Sequence, residues 1–82
     1  MNNLNLSSNP VFFPVTYYTN KHYKNALLNT SQILIIESFN DNDINTTDDV
    51  IIKTATGAEY RIKNTTPREL ANKMGNVIDL TA

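Results

Sequence analysis

The sequence predicts a small α+β domain: four or five mostly antiparallel strands with one C-terminal helix packed on one face. Three stretches carry this reading. Residues 50–63 alternate apolar and charged side chains around a single glycine. Residues 66–69 spell a helix start. Residues 32–39, "QILIIESF", form an apolar, β-branched run.

The hairpin has the cleanest parity. Val50, Ile52, Thr54, Ala58, Tyr60 and Ile62 share one parity, and Lys53, Glu59, Arg61 and Lys63 share the other. Successive strand side chains point to opposite faces, so the first set lines a core and the second meets water. Gly57 supplies the positive φ of a short loop closed by a glycine bulge. The helix follows, with Thr66 at the N-cap, Pro67 at N1 and Glu69 at N3 of a capping box. In such a box the Glu69 carboxylate reaches back to the cap. Leu70, Ala71, Met74, Val77 and Ile78 lie at helical spacing, which carries the stripe to about residue 79. Gly75-Asn76 argues instead for an end near residue 74.

Upstream, "VFFPVTYY" (11–18) reads as a strand with Val11, Phe13, Val15 and Tyr17 on one face. Pro14 has no amide donor, which places this strand at an edge or at a bulge. "ALLN" (26–29) and "QILIIESF" are two further β-prone runs. The second is apolar on both parities, the pattern of a central strand covered on both faces. "TNKHYKN" (19–25) reads as a polar turn, and "MNNLNLSSNP" (1–10) as a polar N-terminal arm of a single 82-residue domain.

Composition narrows the function. The chain has no cysteine, so disulfides and thiolate metal sites are excluded, and a net charge of −1 gives no global field for nucleic acid or anionic membrane. The first residues lack the basic and apolar regions of a signal peptide, and the longest apolar run, "ILII", is far short of a membrane span. The expectation is a soluble protein, cytoplasmic or part of a larger particle. A chain this small, without a covalent or metal staple, is also expected to gain stability from a second subunit or a partner.

Catalytic constellations do not assemble. His22 is the only histidine, and no G-x-S-x-G elbow exists to present a serine to it. Two glycines, Gly57 and Gly75, cannot build a phosphate cradle. The acidic stretch 37–49 places Asp41, Asp43 and Asn45 at the first ligand positions of an EF-hand loop. Thr46 then stands where glycine is needed and Ile52 where the bidentate glutamate is needed. That stretch reads as a flexible, self-solvated connection. No catalytic residue, cofactor, metal or small-molecule substrate is expected.

Two surfaces remain. The aromatics of the first strand, Phe12, Phe13, Tyr17 and Tyr18, occupy both parities, and one helix covers only one sheet face. They are the expected contact for a protein partner or a second copy. Residues 1–18 as a whole are expected to lie against that neighbour. The alternative is a small nucleic-acid-binding regulator that tracks phosphates with Lys53, Arg61 and Lys63 on the hairpin's charged face.

"NTSQILIIES" followed by "DDVIIKTATGAEYRIKNTTPRELANKM" resembles the FlbD family of small flagellar-operon proteins over residues 29–74. The shared features are an Asn-x-x-x-Ile run, a Gly-centred hairpin ending in Tyr, and a closing helix. The same stretch is also similar to the middle of LytTR DNA-binding domains. LytTR domains continue past this helix into a basic, strand-rich segment that contacts DNA, whereas eight residues follow Met74 here. The FlbD likeness implies an accessory, non-catalytic role: docking onto a larger assembly such as an appendage, a phage particle or a host target.

Overall fold

The computed structural model describes residues 11–75. The elements run β1 (Phe12–Thr19), β2 (His22–Asn29), a single 3-10 turn (Thr30–Gln32), β3 (Ile33–Ser38), β4 (Asp48–Thr54), β5 (Glu59–Thr65) and α1 (Pro67–Lys73). The five strands make one antiparallel sheet in the order β2-β1-β5-β4-β3. This is the small α+β fold expected from the sequence.

The connection between β2 and β3 shapes the whole sheet. These strands form its two edges, yet only Thr30–Gln32 separate them. Four residue steps span at most about 14 Å, whereas the edges of a flat five-stranded sheet lie about 19 Å apart. The sheet therefore curls until its edges approach. Val11 O accepts from Thr30 N, and Gln32 O accepts from Ala55 N, each at 2.8 Å. The short turn is thus tied both to the start of β1 and to the tip of the β4–β5 hairpin. The β1–β2 hairpin joins the other three strands through one bridge, Tyr18 to Arg61.

Curling gives the sheet an enclosed inner face and an open outer one. The inner face holds Val15, Leu28, Val50, Ile52 and Ile62, with Phe13, Tyr17, Ala26, Ile33, Ile36 and Tyr60 packed around them. Val50 and Ile52 are completely buried, each stabilising the fold by about 1.5–3 kcal/mol. Leu70, Ala71 and Met74 of α1 and its cap close this core. Tyr17 and Tyr60 meet edge to face with ring centroids 5.0 Å apart.

The β4–β5 turn has the expected glycine bulge. Gly57 N donates to Thr54 O, Thr54 N donates to Ala58 O, and Gly57 has φ +91°. At the helix start Thr66 Oγ1 accepts from Glu69 N at 2.9 Å. The Glu69 carboxylate, however, accepts from the Thr65 hydroxyl and pairs with Lys73 Nζ rather than reaching back to the cap. The helix ends at Lys73, and Gly75 follows with φ +111°. Of the two closures considered, the glycine gives the observed one. Val77 and Ile78, like the arm 1–10, lie outside the described residues.

Two placements differ from expectation. β3 is an edge strand, not a central one. Ile33 and Ile36 turn into the core, while Leu34 occupies a bulge against β4 and is 68 % exposed. The run is apolar on both parities because a bulge shifts its phase, not because both faces are covered. β1, expected at an edge, is second in the sheet. In a two-residue hairpin the residues flanking the turn exchange hydrogen bonds. Thr19 and His22 flank Asn20-Lys21, so Thr19, Tyr17, Val15 and Phe13 bond to β2 and Pro14 faces the other way. Its missing donor falls on the β5 side, beyond the single bridge, where no ladder asks for it.

Candidate functional site: the outer face of the sheet

The bonding alternation assigns each candidate side chain to a face. Tyr18 lies opposite Arg61, so Phe12, Pro14, Thr16 and Tyr18 of β1 share the outer face with Arg61 and Lys63. Their partners across β2 are Asn29, Leu27, Asn25 and Tyr23. Phe13 and Tyr17 turn inward and pack against the core. The four aromatics expected to form one contact surface are thus divided, two to the fold and two to the outer face.

The outer face has two parts. Over β4 and β5 it is a charge cluster. Arg61 Nε donates to Asp49 Oδ2 at 2.8 Å, and its terminal nitrogen reaches the same oxygen. Lys63 Nζ lies 3.6 Å from that oxygen as well. The Arg61 guanidinium sits 4.0 Å from the Phe39 ring centroid and 6.0 Å from that of Tyr18, and Lys63 Nζ sits 4.7 Å from the Tyr18 centroid. Asp49 is buried beneath them. It stands opposite a bulge in β5 at which Asn64 takes φ +63°. Lys53 pairs separately with Glu37 at 3.0 Å, and this bond raises the Lys53 pKa. All three basic residues of the alternative site therefore have carboxylate partners.

Over β1 and β2 the outer face is mixed, with Phe12, Pro14 and Leu27 towards one end, Tyr18 and Tyr23 at the other, and the Thr16–Asn25 pair between them. Phe12 is 54 % exposed, Tyr23 61 % and Leu27 68 %. Tyr23 also meets the Tyr18 ring edge to face at 5.1 Å, and Thr16 bonds to Asn25 at 2.7 Å. No element of the described residues lies over this strip. Scattered exposed apolar side chains are ordinary, but several on one hairpin face form a patch of the kind that meets a partner.

The acidic connection between β3 and β4 is braced rather than loose. Asn40 and Asn42 each donate to Asp48 Oδ2 at 2.8 Å, and the Asn40 bond is the main reason the Asp48 pKa is lowered. Asp43 Oδ1 accepts from Asn45 N, and Asn45 Oδ1 accepts from Arg68 Nε at 3.0 Å. Arg68 N donates to Ile44 O, which fastens the loop to the first turn of α1. Two of the three EF-hand-like positions thus spend ligand oxygens on internal bonds. Among the described residues no three acidic or histidine side chains converge as a metal site. His22 begins β2 instead of lying within a turn, and it is exposed.

Asp49, Phe39 and Leu27 belong to the outer face without having been expected there from the sequence. Leu27 carried the clearest signal, since it is out of phase with the buried Leu28. Asp49 gave none, because its pairing depends on a bulge in the opposite strand. No helix of the described residues is long and apolar enough to cross a membrane. A scan against protein-family models finds no match, and searches of curated proteins and of solved structures find none either.

Proposed function

We propose that this chain is a non-catalytic interaction protein that docks onto a protein partner or larger assembly through the outer face of its β1–β2 hairpin. The observation that carries this reading is the uncovered strip of Phe12, Tyr23 and Leu27 on a hairpin whose inner face gives Phe13, Val15, Tyr17, Ala26 and Leu28 to the core. Desolvating such side chains favours association by about 25 cal/mol per Å² of apolar surface before the costs of binding are met. The accessory role implied by the FlbD resemblance agrees with it. The basic face supports a phosphate-tracking regulator less well. Lys53, Arg61 and Lys63 would have to leave Glu37 and Asp49 before they could neutralise phosphates.

The test is affinity capture from the native source with three forms of the tagged chain. Wild type and Lys53→Glu should retain the same protein partner, and Phe12→Glu should lose it. Equal retention by Phe12→Glu, or a bound nucleic acid released by salt and abolished in Lys53→Glu, would overturn the proposal.

A further inference from the structure

The free edge of β2 differs from that of β3. β3 is six residues long, and a bulge at Leu34 interrupts its pairing with β4. Short length and bulges are devices that protect an edge from further pairing. β2 runs eight residues in unbroken register from His22 to Asn29, with no proline and no bulge. Among the described residues it pairs only with β1. Because His22, Lys24, Ala26 and Leu28 bond to β1, the backbone groups of Tyr23, Asn25, Leu27 and Asn29 point outward from the edge.

We infer that a second copy of this chain occupies that edge, antiparallel, with the two-fold axis at Asn25. The inference rests on the docking role proposed above and supplies the identity of one partner. Charge and register select the arrangement. Centred on Asn25, the outward-pointing residues exchange bonds as Tyr23 with Leu27 of the second copy, Asn25 with Asn25, and Leu27 with Tyr23. Each exposed tyrosine then covers an exposed leucine on the outer face, a cross-strand pairing that stabilises sheets. Lys24, the one lysine on the strand, stands opposite Ala26. Centring one residue earlier sets Lys24 directly against Lys24, and like charges so placed are destabilising. Centring one residue later sets Leu27 against Asn25 and forfeits both apolar pairs. Residue 25 is also next to the strand's midpoint, so this register uses nearly the whole edge. The hairpins of both copies then form one continuous sheet, and their Phe12 rings stay on its outer face for the docking role.

The chain has no cysteine, so a single introduced cysteine reports its own symmetry mate. Lys24→Cys, Asn25→Cys and Ala26→Cys are oxidised in otherwise wild-type chain and read on a non-reducing gel. Directly opposed, hydrogen-bonded residues have Cα atoms about 5.5 Å apart, inside the roughly 4.4–6.8 Å that a disulfide requires. The pairing predicts a covalent dimer with Asn25→Cys and little with its neighbours. Asn25→Pro is the second variant. Its lost amide has no partner among the described residues, and its lost side chain accepts an exposed bond from Thr16, so the fold persists by circular dichroism while the mass by light scattering halves relative to wild type. Cross-linking that peaks at 24 or 26 would overturn the register. A wild-type chain that is monomeric across concentrations and cross-links at no position would overturn the pairing. The capture experiment with Phe12→Glu, a β1 residue outside this register, reports separately on the docking face.

Discussion

Arg61 pairs with the buried Asp49 on the outer face, its Nε donating to Asp49 Oδ2 at 2.8 Å while the Phe39 ring lies against the guanidinium. A carboxylate taken out of water is tolerated only when it is paired and hydrogen-bonded. Here one oxygen serves Arg61 and Lys63 together, and the Tyr18 and Phe39 rings lie against these cations. The cluster clasps β4 to β5 beside the bulge at Asn64, where the backbone ladder is interrupted.

Asp49→Ala should therefore destabilise the protein by about 1–3 kcal/mol, because two cations lose their shared acceptor. The discount for the partly exposed Arg61 and Lys63 is already in that range. Urea denaturation checks it, and a double-mutant cycle with Arg61→Met isolates the coupling. A coupling of zero would mean that the pair only decorates the surface.

Leu70→Ala should cost about 2–5 kcal/mol, since Leu70 is buried in the core that α1 closes. Against a total stability of about 5–15 kcal/mol, that is enough to lower the thermal midpoint sharply. A midpoint equal to wild type would show that the core closes without the helix.

The loop has a pH signature. The Asp48 pKa is lowered chiefly by its hydrogen bond from Asn40, with its own backbone contact to Asp49 and the Asn42 bond adding to it. A carboxylate with a depressed folded pKa stabilises the fold fully above its unfolded value, about 3.9. That contribution fades as pH falls through the folded value. Asn40→Ala should move the Asp48 titration, followed by NMR, up towards the ordinary carboxylate range. An unchanged midpoint would show that the Asn40 bond does not persist in solution.

What was legible in the sequence was local. The β4–β5 alternation, the Gly57 bulge and the Thr66 cap each follow from neighbouring residues, and all three stand in the structure. What was hidden depends on distant pairing. The edge position of β3 follows from a three-residue connector and a bulge, neither of which changes its apolar composition. The first half of β2, "HYKN", looked like a turn because an edge strand exposed on both faces needs no apolar period. Its real turn, Asn20-Lys21, has φ +48° and +65° without the glycine that usually marks such a hairpin. The same limit applied to the outer face. Parity separated Phe12 and Tyr18 from Phe13 and Tyr17, but only the curl of the sheet showed which pair the core would take.

The central claim is that the outer face of the hairpin serves a partner and not the fold. Phe12→Glu, read by thermal denaturation and by capture on the same preparation, tests it most directly. Phe12 is 54 % exposed and no described element covers it. The expected result is a midpoint unchanged to within about 0.5 kcal/mol of stability, together with loss of the captured partner. A fall in stability approaching that of Leu70→Ala, with the partner still retained, would contradict it.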